Sequence, residues 1–186
     1  MDFFDRAPGA GRWLKNAALF LLLAALPVRA ADGFSLDSLG GRYGFGANRS
    51  SQRFWRTEGF LSVNLPWRWD MGKDFSLRPR WEVAGGWLSE GRLDGGLGAT
   101  GPALALTRQG WPLGLEGGSS ATFLTRSDYV TKDLGGPVQF TSYAGVYWNF
   151  GSHWRLGYRF EHMSNASLYS SNPGVNLHVL SLSLRF

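Results

Sequence analysis

The sequence predicts an eight-stranded antiparallel β-barrel that crosses a membrane with its strands. Three observations carry that expectation. Apolar and polar residues alternate with period two along most of the chain. Short and longer connections alternate between those stretches. The apolar face is also too rich in tryptophan to fill the centre of a small soluble barrel. Composition agrees: 26 glycines, 15% aromatic and only 18% charged residues favour strands over charged helices. The 186-residue length suits one domain, and the absence of Cys excludes a disulfide framework and thiolate chemistry.

Residues 1–30 read as a cleaved signal peptide. Arg6, Arg12 and Lys15 form a basic start, diluted by Asp2 and Asp5, and "AALFLLLAAL" at 17–26 is an apolar run too short to span a bilayer. Val28-Arg29-Ala30 fits a cleavage site. Residues 31–186 are then a single barrel domain. Its strands are expected at 42–47, 54–69, 75–88, 97–107, 113–124, 138–150, 154–162 and 177–186. Pro79 and Pro102 weaken the third and fourth locally. The sixth is the clearest: Val138, Phe140, Ala144, Val146, Trp148 and Phe150 share one face, and Gln139, Thr141, Tyr143, Gly145, Tyr147 and Asn149 the other. In the last, Leu180, Leu182, Leu184 and Phe186 alternate with Ser181, Ser183 and Arg185. A final strand ending on Phe resembles the assembly signal of bacterial outer-membrane barrels.

In a membrane the apolar face points outward and the polar face into the lumen. The inward set is then Arg42, Arg56, Arg68, Arg78, Arg80, Arg155, Arg159 and Arg185 with Glu58, Glu82, Glu116 and Glu161, which can pair inside a narrow barrel. Trp55, Trp67, Trp69, Trp81, Trp87, Trp148 and Trp154 fall on the outward face and suit aromatic girdles at the membrane interfaces. The connections "DMGKD", "RQGWP" and "GSH" are short; "NRSSQR", "SEGRLDGG", "TRSDYVTKDLGGP" and "MSNASLYSSNPGVN" are mostly longer and belong outside the cell.

The last long connection carries the chemistry. In "FEHMSNASLYSSNPGVN", starting at Phe160, His162 and Ser164 continue the lipid-facing parity of Trp154, Leu156, Tyr158 and Phe160. Asn176 and His178 share the parity of Leu180 on the neighbouring strand, so antiparallel pairing can bring these side chains together on the outer wall. Ser alone is a weak nucleophile and needs a base within about 3 Å; His162 can serve at neutral pH. A third group must orient the imidazole, and donors must meet the oxyanion, one of which Asn165 could supply. A polar loop with purely structural His and Ser is the bland alternative.

"HMSNAS" followed by "NPG" in the last loop of a Phe-terminated eight-stranded barrel resembles the lipid A 3-O-deacylase family of outer-membrane enzymes. The motif likeness covers 160–174, and the architectural likeness most of the chain. It implies hydrolysis of the ester-linked 3-hydroxyacyl chain at the 3 position of lipid A, without metal or cofactor, in the Gram-negative outer membrane near its outer leaflet. The implied partners are lipid A (lipopolysaccharide) and outer-membrane lipid, with a homodimer left open. It also implies Ser164 as nucleophile, His162 as base and Asn165 as oxyanion-hole residue. The family's acid lies twelve residues beyond the nucleophile, where this sequence has Asn176. Asn can orient His through its carbonyl, as in Cys-His-Asn sites, but carries no charge.

The competing reading is a non-enzymatic structural or adhesive barrel that has lost the triad acid; a lipase or acyltransferase acting on another lipid is weaker. Glu161 has lumen parity and reads as an ion-pair residue, while Asp128 and Asp133 are candidate substitute acids. His178 suits interfacial packing and His153 a solvated turn. Arg49, Arg53, Arg126 and Lys132 are loop cations that serve either lipid A phosphates or solubility. No metal-ligand cluster, phosphate loop or nucleic-acid motif accompanies the net charge of +5, so no nucleic-acid partner is expected.

Overall fold

The structure is a computed structural model that describes residues 33–186, so the expected leader at 1–30 lies outside the described residues. Its strands are β1 (Ser35–Gly46), β2 (Phe54–Asn64), β3 (Trp69–Met71), β4 (Phe75–Glu90), β5 (Leu93–Arg108), β6 (Leu113–Leu124), β7 (Val138–Phe150), β8 (Trp154–Ser164) and β9 (Val175–Arg185). Eight of them form a closed wall in which β1 pairs with both β2 and β9, and β2 pairs with β4, so no edge is left. The short β3 pairs with the start of β4, on the edge that β2 occupies further along, and so continues the line of β2.

Three boundaries depart from the alternation, each for a physical reason. The first strand begins at Ser35, not at 42, because a bulge between Leu36 and Ser38 breaks the period. The second ends at Asn64, where Pro66 follows, and the chain returns as β3. The expected long connection around 89–96 is a tight hairpin: Glu90 opposes Leu93 across Gly91 and Arg92, with Gly91 at φ +61°. Glycines at 95, 96 and 98 had hidden the start of β5. The ladder between β5 and β6 lapses at Gly101 and Pro102, where proline has no N–H to donate, and resumes in the same register.

The faces follow parity. Along β8, Trp154, Leu156, Tyr158, Phe160 and His162 are exposed, while Arg155, Arg159, Glu161 and Met163 are buried. Trp55 and Trp87 sit toward the end with the long loops, and Trp67, Trp69, Trp111, Trp148 and Trp154 toward the other, all exposed as girdles require.

Inside, three cations meet three anions. Arg42 pairs with Glu82 at 2.8 Å and Glu58 at 3.3 Å, Arg56 with Glu161 at 2.7 Å and Glu58 at 2.5 Å, and Arg159 with Glu82 at 3.2 Å and Glu161 at 2.5 Å. Their side chains are almost wholly buried, so this mutual neutralisation offsets a desolvation cost of several kcal/mol per ion. A second cluster holds Asp37 between Arg155 at 2.6 Å and Arg80 at 3.0 Å. Glu116 lines a small lumen cavity with Arg80, Arg155 and Tyr147. The Tyr147 ring lies over Gly114, where any Cβ would collide with it, so glycine makes room for the aromatic filling. Arg68, expected inside, is exposed and pairs with Asp70 at 2.8 Å, because the strand has already ended.

The lumen is not polar throughout. Toward the long-loop mouth Phe54, Leu88, Leu97, Leu124, Met163, Val175, Leu177 and Val179 form an apolar core. The β6–β7 connection caps it with Tyr129 and Leu134, and the Tyr129 hydroxyl donates to the Leu88 carbonyl at 3.2 Å. Burial pushes the Tyr129 phenol up to about 12.

Glu161→Gln should destabilise the detergent-folded barrel by about 3–5 kcal/mol in urea unfolding, since it strands Arg56 and Arg159 without their shared anion. Arg68→Gln, which breaks an exposed pair, should change stability by less than about 1 kcal/mol in the same measurement.

Candidate active site on the outer wall

Antiparallel pairing of β8 with β9 sets His162 opposite Asn176. Both side chains lie on the outward face, near the rim that carries the long loops. The His162 Nδ1–H donates to Asn176 Oδ1 at 2.7 Å. An amide oxygen only accepts, so this contact requires the proton on Nδ1 and leaves the Nε2 lone pair free to act as a base.

Ser164 ends β8 on the same face, half-buried and opposite Phe140. Its hydroxyl makes no hydrogen bond among the described residues. Residues two apart on a strand are spaced by about 7 Å at their Cα atoms and share a face, so Ser164 and His162 are neighbours on the outer wall.

The following turn is tightly held. Asn165 is fully buried, and its Nδ2 donates to the carbonyls of Leu134 at 2.8 Å and Ser171 at 2.6 Å. Its backbone N–H donates to Asn172 Oδ1 at 3.0 Å. These bonds support Ala166 at φ 50° and Ser167 at φ 66°, conformations that cost on the order of 1–3 kcal/mol each. The N–H groups of Ala166 and Ser167 have no partner among the described residues. The turn thus leaves two free donors just beyond Ser164.

Gly174, at φ +62°, lies against the imidazole: a Cβ there would stand 3.0 Å from His162 Cε1. Its carbonyl accepts from Lys132 Nζ, which also reaches Ser51 Oγ at 3.4 Å. Ser51 Oγ in turn accepts from the Asn176 N–H at 3.1 Å. Burial lowers the Lys132 pKa below its ordinary value, and nearby Glu90 opposes that shift. Ser51, Lys132 and Asn172 support the site without any signal in strand periodicity. They act from loops, across separations as long as 125 residues.

The other candidates lie elsewhere. Glu161 points into the lumen and is engaged by Arg56 and Arg159. Asp128 pairs with Arg126 at 3.7 Å, and Asp133 accepts from the Gly135 N–H at 2.8 Å. No carboxylate among the described residues hydrogen-bonds His162. His178 is bonded to the Tyr158 hydroxyl at 2.8 Å and packs against Phe45 and Phe160. His153 is exposed in the β7–β8 turn. Among the described residues, no group of three or more acidic or His side chains could hold a metal ion.

Comparison with known proteins agrees with the barrel. A solved structure, the crystal structure of the outer membrane enzyme PagL, is similar with a TM-score of 0.70 and 18% identity, covering 81% of this chain and 99% of that one; the likeness is one of fold. A curated relative, lipid A deacylase PagL of Bordetella bronchiseptica, is 29% identical over 72 residues. That match spans 39% of this chain and 40% of the relative's length. The family model for lipid A 3-O-deacylase (PagL) matches residues 57–185, from within β2 to the end of β9, and that span contains His162, Ser164 and Asn176. The chain therefore belongs to the lipid A 3-O-deacylase (PagL) family.

Proposed function

We propose that this outer-membrane barrel hydrolyses the ester-linked 3-hydroxyacyl chain at the 3 position of lipid A. One observation carries the reading above all: a correctly tautomerised His162, held by Asn176, shares the lipid-facing wall with an uncommitted Ser164 near the outer rim. A lipid in the outer leaflet presents its acyl esters at about that level, whereas a soluble substrate would have to enter the bilayer to reach it.

In the reaction His162 Nε2 takes the proton of Ser164 Oγ as the oxygen attacks the ester carbonyl. The tetrahedral oxyanion needs donors. Asn165 contributes by holding the turn, since both hydrogens of its side-chain amide already serve carbonyls; the free N–H groups of Ala166 and Ser167 are the direct donors. Collapse breaks the bond to the sugar oxygen, which leaves with the proton from the imidazolium. Water, deprotonated by the same His, then releases the fatty acid and restores Ser164.

Asn176 keeps the tautomer but supplies no charge to the imidazolium. That is a smaller loss than a wrong tautomer, which costs on the order of 10⁴ in rate. All three residues come from one barrel, so a homodimer is not needed to complete the site. The alternative, a non-enzymatic barrel, is favoured only by the missing acid at Asn176.

Mass spectrometry of lipid A from cells expressing the protein should show loss of one 3-hydroxyacyl mass. Ser164→Ala should abolish that loss while the barrel still assembles in the outer membrane; an unchanged mass with wild type would favour the non-enzymatic reading. Asn176→Glu should raise kcat/KM about 10–100-fold, equivalent to about 1.4–2.7 kcal/mol of imidazolium stabilisation. Asn176→Leu, which leaves Nδ1 without an acceptor, should lower it below wild type.

A further inference from the structure

A cleft of about 500 Å3 opens beside the site, between the β1–β2 loop and the β6–β7 loop. Arg49, Gln52 and Arg53 line one side, and Thr131, Lys132 and Pro173 the other. Its charge is unbalanced. Arg49 and Arg53 have no ion-pair partner among the described residues. Other exterior arginines do: Arg68 pairs with Asp70, Arg108 with Asp74 at 3.6 Å, and Arg126 with Asp128. Lys132 is only 7% exposed, unlike a lysine kept for solubility. Glu90, which accepts from the Thr131 N–H and hydroxyl, offsets part of the Lys132 charge, and Arg49 and Arg53 carry the excess.

The cleft is also mechanically joined to the site. Its wall includes Pro173, next to the Gly174 whose added Cβ would crowd the His162 ring, and Lys132 donates to the Gly174 carbonyl. An anion seated against Arg49, Arg53 and Lys132 would thus lie beside the reacting ester. Guanidinium groups suit a phosphoryl group because they bind it through paired, charge-assisted hydrogen bonds. Lipid A is an acylated glucosamine disaccharide that carries phosphates on the same saccharide as its esters.

We propose that this cleft is a phosphoryl-binding subsite that seats a phosphate of the lipid A saccharide while its ester lies at Ser164. The assignment rests on lipid A being the substrate, as proposed above. Arg126, paired with Asp128 and absent from the cleft lining, takes no part. The same chemistry would also hold a free phosphate ion, so the test separates the two sources.

The full-length protein carrying Ser164→Ala is used in detergent micelles, so bound lipid is not consumed. The probes are bisphosphorylated lipid A, the same lipid A after dephosphorylation, and inorganic phosphate. The phosphorylated lipid should bind about 10-fold tighter than the dephosphorylated one, and added salt should shrink that gap. Arg49→Gln with Arg53→Gln should close it, and the paired Lys variant should retain part of it. Equal binding of the two lipids, or a gap that survives the Gln pair, overturns the subsite. Arginine-dependent binding of inorganic phosphate, with the two lipids bound alike, makes it a free-ion site and also overturns the assignment. Should the Gln pair fail to show the heat-dependent gel shift of a folded barrel, the single Arg53→Gln and the Lys pair carry the comparison. Binding is read without turnover, so a wild type that cleaves no lipid A would refute the reaction and leave this result interpretable.

Discussion

Closure of the backbone ladder is the constraint on which the rest depends. Hydrocarbon offers no partner for an N–H or C=O, so every strand must find its neighbours within the wall. β1 joins β2 to β9 and thereby removes the last edge. Once the wall is closed, a side chain has two destinations, lumen or lipid, and each step along a strand switches between them. The ion network and the outward site are two consequences of that one alternation. Glu161 and His162 are adjacent in sequence, yet one is fully buried among arginines and the other faces outward.

The lumen solves a problem that the alternation creates. A narrow closed wall with a polar inner face must bury charge, and it does so with matched groups: Arg42, Arg56 and Arg159 against Glu58, Glu82 and Glu161. Toward the mouth the solution changes. There the inner face is apolar, and Tyr129 and Leu134 from the β6–β7 connection cover it. That connection therefore does two jobs. It seals the barrel through Tyr129, and through Lys132 it reaches the Gly174 carbonyl and Ser51, whose hydroxyl accepts from the Asn176 N–H. The site rests on the wall from below and is clamped by the plug from above.

The clamp holds a His–Asn pair on the outer wall. Asn176 offers an oxygen to Nδ1 and so keeps the ring proton there, and no carboxylate among the described residues meets the imidazole. Arg49, Arg53 and Lys132 line a cleft that ends at Pro173, next to the Gly174 beside that ring.

The sequence by itself determined what a local period can carry. The alternation in 154–162, carried on to 164, and that of the last strand, carried back to 176, put His162, Ser164 and Asn176 on one outward face, where the paired strands hold them. Where the period is interrupted, the reading failed: the bulge in β1, the turn after Asn64 and the glycine-rich start of β5 each shifted a boundary, and Arg68 moved from the expected lumen to the exterior. Only the tertiary structure decided the contacts between loops. That Lys132, rather than Arg126, joins Arg49 and Arg53 beside the site depends on how the β6–β7 connection folds into the mouth. Those side chains meet through the closure of the whole wall, between residues far apart in the chain, and no local pattern encodes such a meeting.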